Sequence, residues 1–266
     1  MIEIGIVGLG TIGRALAQGF QKSPRVGRIA ATTRRSRTQG PELPGVIAMA
    51  DNRELAAESD VIALCVKPHQ MEGVVRDIAD TLREGALLVS VAAGISTKAI
   101  ADWTGGRFPV VRAMPNMPCH IGAGITALAA GPAATDEHLE LLRELFEGLG
   151  RVVVVEESLM NAVTALSGCG PAYVYVIVEA LTDAGVSLGL PRNIARELSA
   201  QTLQGSAAYV LASGKHPAAL KDDVTTPAGC TIDGLLALEE GRLRSTLARA
   251  VAAAASRASK LAPNEV

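Results

Sequence analysis

Three threonines, a proline and a glycine fall within seven residues near the end of this chain, in Lys221-Asp222-Asp223-Val224-Thr225-Thr226-Pro227-Ala228-Gly229-Cys230-Thr231. An apolar, helix-like run follows. Hydroxyls and free backbone N–H groups gathered in a loop at a helix N-terminus make a place that binds small anionic groups. A substrate is therefore expected there. A second constellation opens the chain: Gly8-Leu9-Gly10-Thr11-Ile12-Gly13 follows the apolar run Ile2 to Val7 and precedes a helical pattern from Thr11 to about Lys22. Gly8 allows a tight turn, Gly10 lets a pyrophosphate approach the backbone, and Gly13 permits close packing of helix on strand. The strand–turn–helix context is the one a dinucleotide motif requires.

The second strand chooses the dinucleotide. A site for NAD carries an acid about 20 residues beyond the glycines, on the ribose 2′-hydroxyl. Here Thr32-Thr33-Arg34-Arg35-Ser36-Arg37 holds no acid. Arg34, Arg35 and Ser36 suit a 2′-phosphate, because a guanidinium binds phosphate through a two-pronged fork. NADP is expected over NAD. Cys65-Val66-Lys67-Pro68 and Ala113-Met114-Pro115-Asn116 close two later strands. Ligands of doubly wound sheets lie at such carboxyl edges. Val66, Lys67, Pro68, Met114, Pro115 and Asn116 are therefore expected to line the cofactor, with Asn116 holding a ribose or a carboxamide. Lys67 is read as a solvated edge residue ahead of a catalytic one.

These residues need a scaffold. Strand-like runs at Ile2–Val7, Arg28–Thr33, Val46–Ala50, Val61–Val66, Leu87–Val91, Val110–Met114, Gly124–Ala130 and Val152–Val155 alternate with helical patterns. That alternation predicts an α/β fold, a Rossmann-like doubly wound and mostly parallel sheet. From Leu159 onward only helical windows remain: Leu159–Leu166, Ala172–Leu188, Arg192–Ser213, Ile232–Glu240 and Leu243–Leu261. Pro171 and Pro191 stand where helices would begin, and Gly189 suits a helix end. The expected division is a dinucleotide-binding domain over 1–157 and an all-α domain over 158–266. The wide apolar faces of the second domain predict dimerisation through it, with a self-contained bundle as the alternative.

Bulk properties narrow the function. The 266 residues carry 48% hydrophobic side chains, only 3% aromatics and a net charge of −2. An aliphatic core is expected, with neither a nucleic-acid footprint nor a basic membrane face. Cys65, Cys119, Cys169 and Cys230 have no zinc-like spacing, so no metal is expected and a reduced, cytoplasmic setting is the simplest. His69, His120, His138 and His216 form no triad-like arrangement. No signal peptide is expected ahead of Ile2. No run of 18 uninterrupted apolar residues occurs, so no membrane span is expected either.

With these pieces in place the chain resembles the pyrroline-5-carboxylate reductase family nearly end to end. The resemblance rests on Ala63-Leu64-Cys65-Val66-Lys67-Pro68, Val111-Arg112-Ala113-Met114-Pro115-Asn116, Leu166-Ser167-Gly168-Cys169-Gly170-Pro171-Ala172-Tyr173 and, above all, Lys221 to Thr231. It implies reduction of the cyclic imine 1-pyrroline-5-carboxylate to L-proline by NADPH, the last step of proline biosynthesis, in a homodimer built on the helical domain and often assembled into larger rings. Carried over by position, Thr225, Thr226, Ala228 and Gly229 would hold the substrate carboxylate. Thr231 would place its hydroxyl near the imine nitrogen, and Ala93 and Gly94 would join the cofactor site.

Four positions depart from the family pattern. Cys169 replaces a serine, Ala228 replaces the first of two glycines, Met117 follows Pro115-Asn116 where a threonine is usual, and Gly13 stands where alanine is common. A reductase of a six-membered or secondary-metabolite imino acid is the alternative that Cys169 and Ala228 keep open. A non-catalytic NADP-binding regulator would need a damaged threonine loop. A β-hydroxyacid dehydrogenase would need a lysine early in the second domain, and no lysine occurs between Lys98 and Lys215.

Overall fold

The computed structural model describes residues 1–33 and 43–261. Eight strands form one sheet: β1 (Ile2–Val7), β2 (Val26–Thr32), β3 (Val46–Met49), β4 (Val61–Leu64), β5 (Leu87–Ser90), β6 (Val110–Met114), β7 (Gly124–Ala130) and β8 (Gly150–Val154). Their order is β3-β2-β1-β4-β5-β6-β7-β8. All neighbouring pairs are parallel except β6 and β7. Nine residues separate β6 from β7. That is too short for the crossover a parallel pair needs, so the chain returns antiparallel.

The inner strands of this sheet are buried on both faces, with alternate residues feeding opposite cores, while the edge strands β3 and β8 are largely exposed. Ile4, Ile6, Val61, Ala63, Leu87 and Val89 pack with helices α1 (Thr11–Phe20) and, later in the chain, Asp136–Glu147. Val7, Ile62, Leu64 and Leu88 pack with α2 (Asn52–Ala57), α3 (Pro68–Ile78) and α4 (Thr97–Trp103). This is the doubly wound arrangement. The core is aliphatic apart from a few aromatics such as Phe20 and Phe146, which meet edge to face at 5.1 Å. The helix Asp136–Glu147 is α5, and α6 (Met160–Val163) covers β6 and β7 through Met160.

The remaining described residues form only helices and their connections, as expected: α7 (Gly170–Ser187), α8 (Arg192–Ser213), α9 (Pro217–Asp223), α10 (Cys230–Glu240) and α11 (Leu243–Ala258). Two readings need correction. Lys221-Asp222-Asp223 is not loop but the end of α9, so the threonine loop is shorter than the motif. The break expected around Gly168–Pro171 is a π-helical turn, Thr164–Gly168, in which the Cys169 N–H donates to Thr164 O at 2.9 Å. Helical structure therefore runs from Glu157 to Ser187. By length, and by the mean hydropathy of its most apolar 18-residue window (1.3), this run is long and apolar enough to cross a bilayer, and only 11% of that window is buried. The expectation of no span counted uninterrupted apolar residues, whereas this helix reaches its hydropathy despite interspersed Ser, Gly and Glu.

The described residues divide into two compact units, one within 1–169 together with 252–261, the other 170–251. In the second unit α7 and α8 pack side by side, and Gly185 gives the close approach: a Cβ there would lie 3.0 Å from Ala195 Cβ. Val174, Tyr175, Val176, Leu181, Leu198 and Leu211 on this pair are exposed in the single chain.

Candidate functional site

In the first unit the glycine turn sits at the carboxyl edge of the sheet. The N–H groups of Gly8 and Leu9 both donate to Thr32 O, at 3.0 and 3.1 Å, which ties the turn to the end of β2. Gly8 has φ +102, and a Cβ on it would lie 2.8 Å from Cys65 O and 3.3 Å from Val66 Cγ1. Gly8 is thus wedged against the end of β4. Gly10 is the N-cap of α1, has no side-chain cap, and faces open space where its Cβ would be. The first-turn N–H groups of α1 lack intrahelical acceptors, so they are available to an anion. Gly13 lies so close to Gly8 O that the alanine common at this place would collide with it.

Around that turn Val66, Lys67 and Pro68 lead from β4 into α3, with Lys67 exposed at the N-cap and Pro68 at the first helical position. Ala93 and Gly94 follow β5, and Met114, Pro115 and Asn116 follow β6. The structure therefore gathers the expected cofactor residues of four adjacent strands at one sheet edge. Asn116 Oδ1 accepts from the Ile125 N–H at 3.0 Å, which fixes the side chain and turns its amide NH2 away from that bond. Cys65 lies in the same turn. Burial pushes its thiol up to about 12, so it stays protonated and takes no part in chemistry near neutral pH. Arg34, Arg35 and Ser36 lie outside the described residues.

The threonine loop belongs to the second unit and spans the six residues between α9 and α10. The Thr225 hydroxyl donates to Lys221 O at 2.7 Å and the Thr225 N–H to Asp222 O at 3.0 Å, anchoring the loop on the last turn of α9. The Gly229 N–H donates to Thr226 O at 3.0 Å and closes the turn Thr226-Pro227-Ala228-Gly229. Its third residue, Ala228, has φ +56. A turn with proline second and a left-handed third residue is of the type that normally demands glycine. Alanine there costs about 1–2 kcal/mol. Ala228→Gly is accordingly expected to stabilise the protein, by about 0.5–1 kcal/mol once the greater chain entropy of glycine is subtracted. Equilibrium denaturation checks this.

Gly229 is the N-cap of α10 and supplies no side chain to cap it, so the N–H groups of Cys230 and Thr231 open toward solvent at a positive helix end. The Thr226 hydroxyl occupies the place a Cβ of Gly229 would take. The loop and the first turn of α10 therefore present two threonine hydroxyls, Thr226 and Thr231, beside uncapped N–H groups. This is the chemistry that a small carboxylate needs.

A feature the motifs did not single out lies on β6. Arg112 is 5% exposed, and its Nε and Nη2 have no hydrogen-bond partner. Burial pulls its pKa below the ordinary value, and the nearby charge of Glu157 pulls it partly back. Glu157 is itself engaged, accepting from the Thr97 N–H at 2.7 Å and the Thr97 hydroxyl at 2.5 Å. The signal was an arginine inside an otherwise apolar strand.

Comparison with known proteins decides the family. A pea pyrroline-5-carboxylate reductase is 40% identical over 97% of this chain and 95% of its own length. The chain belongs to the pyrroline-5-carboxylate reductase family. The enzyme of Corynebacterium melassecola is 39% identical over 98% and 99% of the two chains. Residues 157–261 match the family model described as pyrroline-5-carboxylate reductase dimerisation, and residues 3–94 match one described as NADP oxidoreductase, coenzyme F420-dependent. Among solved structures, the Plasmodium falciparum pyrroline carboxylate reductase with NADP bound superposes with a TM-score of 0.88, at 31% identity over 98% of each chain. The Coxiella burnetii reductase gives the same TM-score at 33% identity over 99% of each.

Proposed function

We propose that this chain reduces 1-pyrroline-5-carboxylate to L-proline with NADPH. The observation that carries this is the loop Thr225–Thr231, whose hydroxyls and uncapped N–H groups fit a small carboxylate, in a family whose members carry that activity in their names. Residues 1–157 form the NADP-binding part, with Gly8 to Gly13, Val66 to Pro68, Ala93, Gly94 and Met114 to Asn116 around the cofactor. Arg34, Arg35 and Ser36 meet its 2′-phosphate. Residues 158–266 bind the substrate and make a homodimer, which covers the exposed apolar residues of α7 and α8. That burial accounts for the hydropathy of the run Glu157–Ser187 without a membrane. Four free cysteines fit a cytoplasmic enzyme.

Bound NADPH supplies the hydride. The chain's own task is to hold the imino acid and to manage one proton. The uncapped N–H groups at the start of α10 and the Thr226 hydroxyl hold the carboxylate. Thr231 places its hydroxyl at the imine nitrogen. One hydride on the ring carbon and one proton on nitrogen convert the C=N bond into C–H and N–H. A protonated cyclic imine is already a good hydride acceptor, so alignment and electrostatics suffice and no strong acid or base is required.

A panel of NADPH and NADH against five- and six-membered cyclic imino acids tests the reading. NADPH oxidation with 1-pyrroline-5-carboxylate is expected to be fastest. Turnover of a six-membered imine alone would overturn the substrate. Thr231→Ala is expected to lower kcat/KM about tenfold to a hundredfold, the loss of one hydrogen bond to a charged group, with NADPH affinity unchanged.

A further inference from the structure

Two contacts join the helical run Glu157–Gly168 to the carboxyl edge of the sheet, both within the first compact unit. The first is polar. Thr97 opens α4 and is 1% exposed, so its N–H and its hydroxyl need partners inside the protein. Ser96, the N-cap, accepts from the Ala99 N–H instead. Both Thr97 donors end on the Glu157 carboxylate, 60 residues away, one on each oxygen. Gly131 backs Thr97 closely, since a Cβ there would lie 2.8 Å from Thr97 Cβ. The turn between β5 and α4 is thus fixed where it enters the helix. At its start the Ala92 N–H donates to Ser90 Oγ at 3.3 Å. Ala92 and Ile95 are buried, and between them stand Ala93 and Gly94, the latter with φ +77.

The second contact is apolar. A Cβ on Gly168 would lie 2.8 Å from Met114 Cε and meet nothing else nearer than 3.9 Å. Glycine therefore leaves room for the Met114 side chain at the end of β6. Gly168 closes the π-helical turn, a form found mostly at functional sites. Between the two contacts, Met160 is buried with Ala127 and Ala129 of β7, and Met114 and Val163 pack against them.

The strand order β2-β1-β4-β5-β6 tells which end of a dinucleotide these residues meet. With the 2′-phosphate beyond β2 and the pyrophosphate at the turn between β1 and α1, the cofactor extends toward β4, β5 and β6. Its nicotinamide end then falls at Ala93, Gly94 and Met114. We propose that the run Glu157–Gly168 is a brace for the nicotinamide end of the cofactor site. Glu157 and Gly168 are its positioning residues: the carboxylate holds the Ala93–Gly94 turn through Thr97, and the glycine seats Met114. The inference rests on the NADP placement proposed above and does not require the imine.

Titration of the full chain with NADPH and with ADP-ribose 2′-phosphate, which lacks the nicotinamide, separates a brace from a merely structural contact. Thr97→Val keeps the shape and removes the hydroxyl. It is expected to weaken NADPH about tenfold, the loss of a hydrogen bond to a charged group, and to leave ADP-ribose 2′-phosphate unchanged. Thr97→Ser, which keeps the hydroxyl, is expected to bind NADPH as the unmodified chain does. Glu157→Ala leaves two buried donors unpaired and is expected to weaken NADPH at least as much as Thr97→Val. Gly168→Ala is expected to weaken NADPH about threefold to tenfold, the effect of driving Met114 off its rotamer. In a chain that already carries Met114→Ala, Gly168→Ala is expected to add nothing, because the group it collides with is gone. Should Glu157→Ala fail to fold, Thr97→Val and Gly168→Ala carry the test. Equal weakening of both ligands would make the contacts merely structural and overturn the brace. An unchanged NADPH affinity in either Thr97→Val or Gly168→Ala would also overturn it, while leaving the cofactor placement standing. Failure of the unmodified chain to bind NADPH would overturn the brace and the cofactor placement together.

Discussion

Replacing Gly229 by alanine is expected to raise KM for 1-pyrroline-5-carboxylate about tenfold to a hundredfold while leaving NADPH affinity and the melting temperature nearly unchanged. The backbone of Gly229 is ordinary, with φ −81, so no conformational strain is at issue. The effect is steric and local. A Cβ would occupy the position of the Thr226 hydroxyl and come within 3.2 Å of Thr226 O. The hydroxyl is the free end of a side chain and can rotate away, so the fold survives. Its rotation withdraws one of the two hydroxyls the loop presents. The hydrogen bond from Gly229 N–H to Thr226 O, which closes the turn, is stretched with it. Loss of one hydrogen bond to a carboxylate is about 1.5–3 kcal/mol, which sets the expected range. Steady-state kinetics at saturating NADPH, with thermal unfolding as control, checks it. An unchanged KM would mean that Thr226 does not touch the substrate.

The same loop shows how sequence and structure divide the information. That Lys221–Thr231 binds something small and anionic was legible in its composition. Its architecture was not. Seven residues of α9 offer no periodic apolar face, and Lys-Asp-Asp at its end reads as solvated loop. The strain at Ala228 was foreshadowed by its departure from glycine, and the structure supplied the sign of φ. The eight strands were legible because each is a short aliphatic run bounded by Gly, Pro or charge. The bounds of α8, Arg192–Ser213, were legible between Pro191 and Gly214. The continuity of helix through Gly168 and Pro171 was not, because glycine and proline signal a break unless a π turn absorbs them. Arg112 was quoted within a motif without its burial, which depends on α6 folding over β6. The set Arg34, Arg35 and Ser36 rests on sequence alone.

The largest effect on the cofactor is expected from Gly8→Ala, and Gly10→Ala separates its causes. At Gly8 two penalties coincide. A φ of +102 is a region that side-chain-bearing residues rarely adopt, which costs about 1–3 kcal/mol. The added Cβ would also lie 2.8 Å from Cys65 O and 3.0 Å from Cys65 C, backbone atoms of the β4 edge that cannot rotate out of the way. Relief requires β1 and β4 to part just where the cofactor turn is held to Thr32. NADPH dissociation is therefore expected to rise more than about a hundredfold, since each 1.4 kcal/mol is tenfold, and the melting temperature should fall with it. At Gly10 the same methyl group meets open space, so the melting temperature should hold. Yet that open space is the side from which a pyrophosphate would approach the N-terminus of α1, and the methyl group stands in it. Gly10→Ala is thus expected to weaken NADPH about tenfold or more without destabilising the apoprotein. Fluorescence titration of NADPH and thermal unfolding of both variants distinguish the two. If Gly10→Ala bound NADPH like the unmodified chain, the pyrophosphate would not lie at this turn, and the cofactor site would have to be sought elsewhere along the sheet edge.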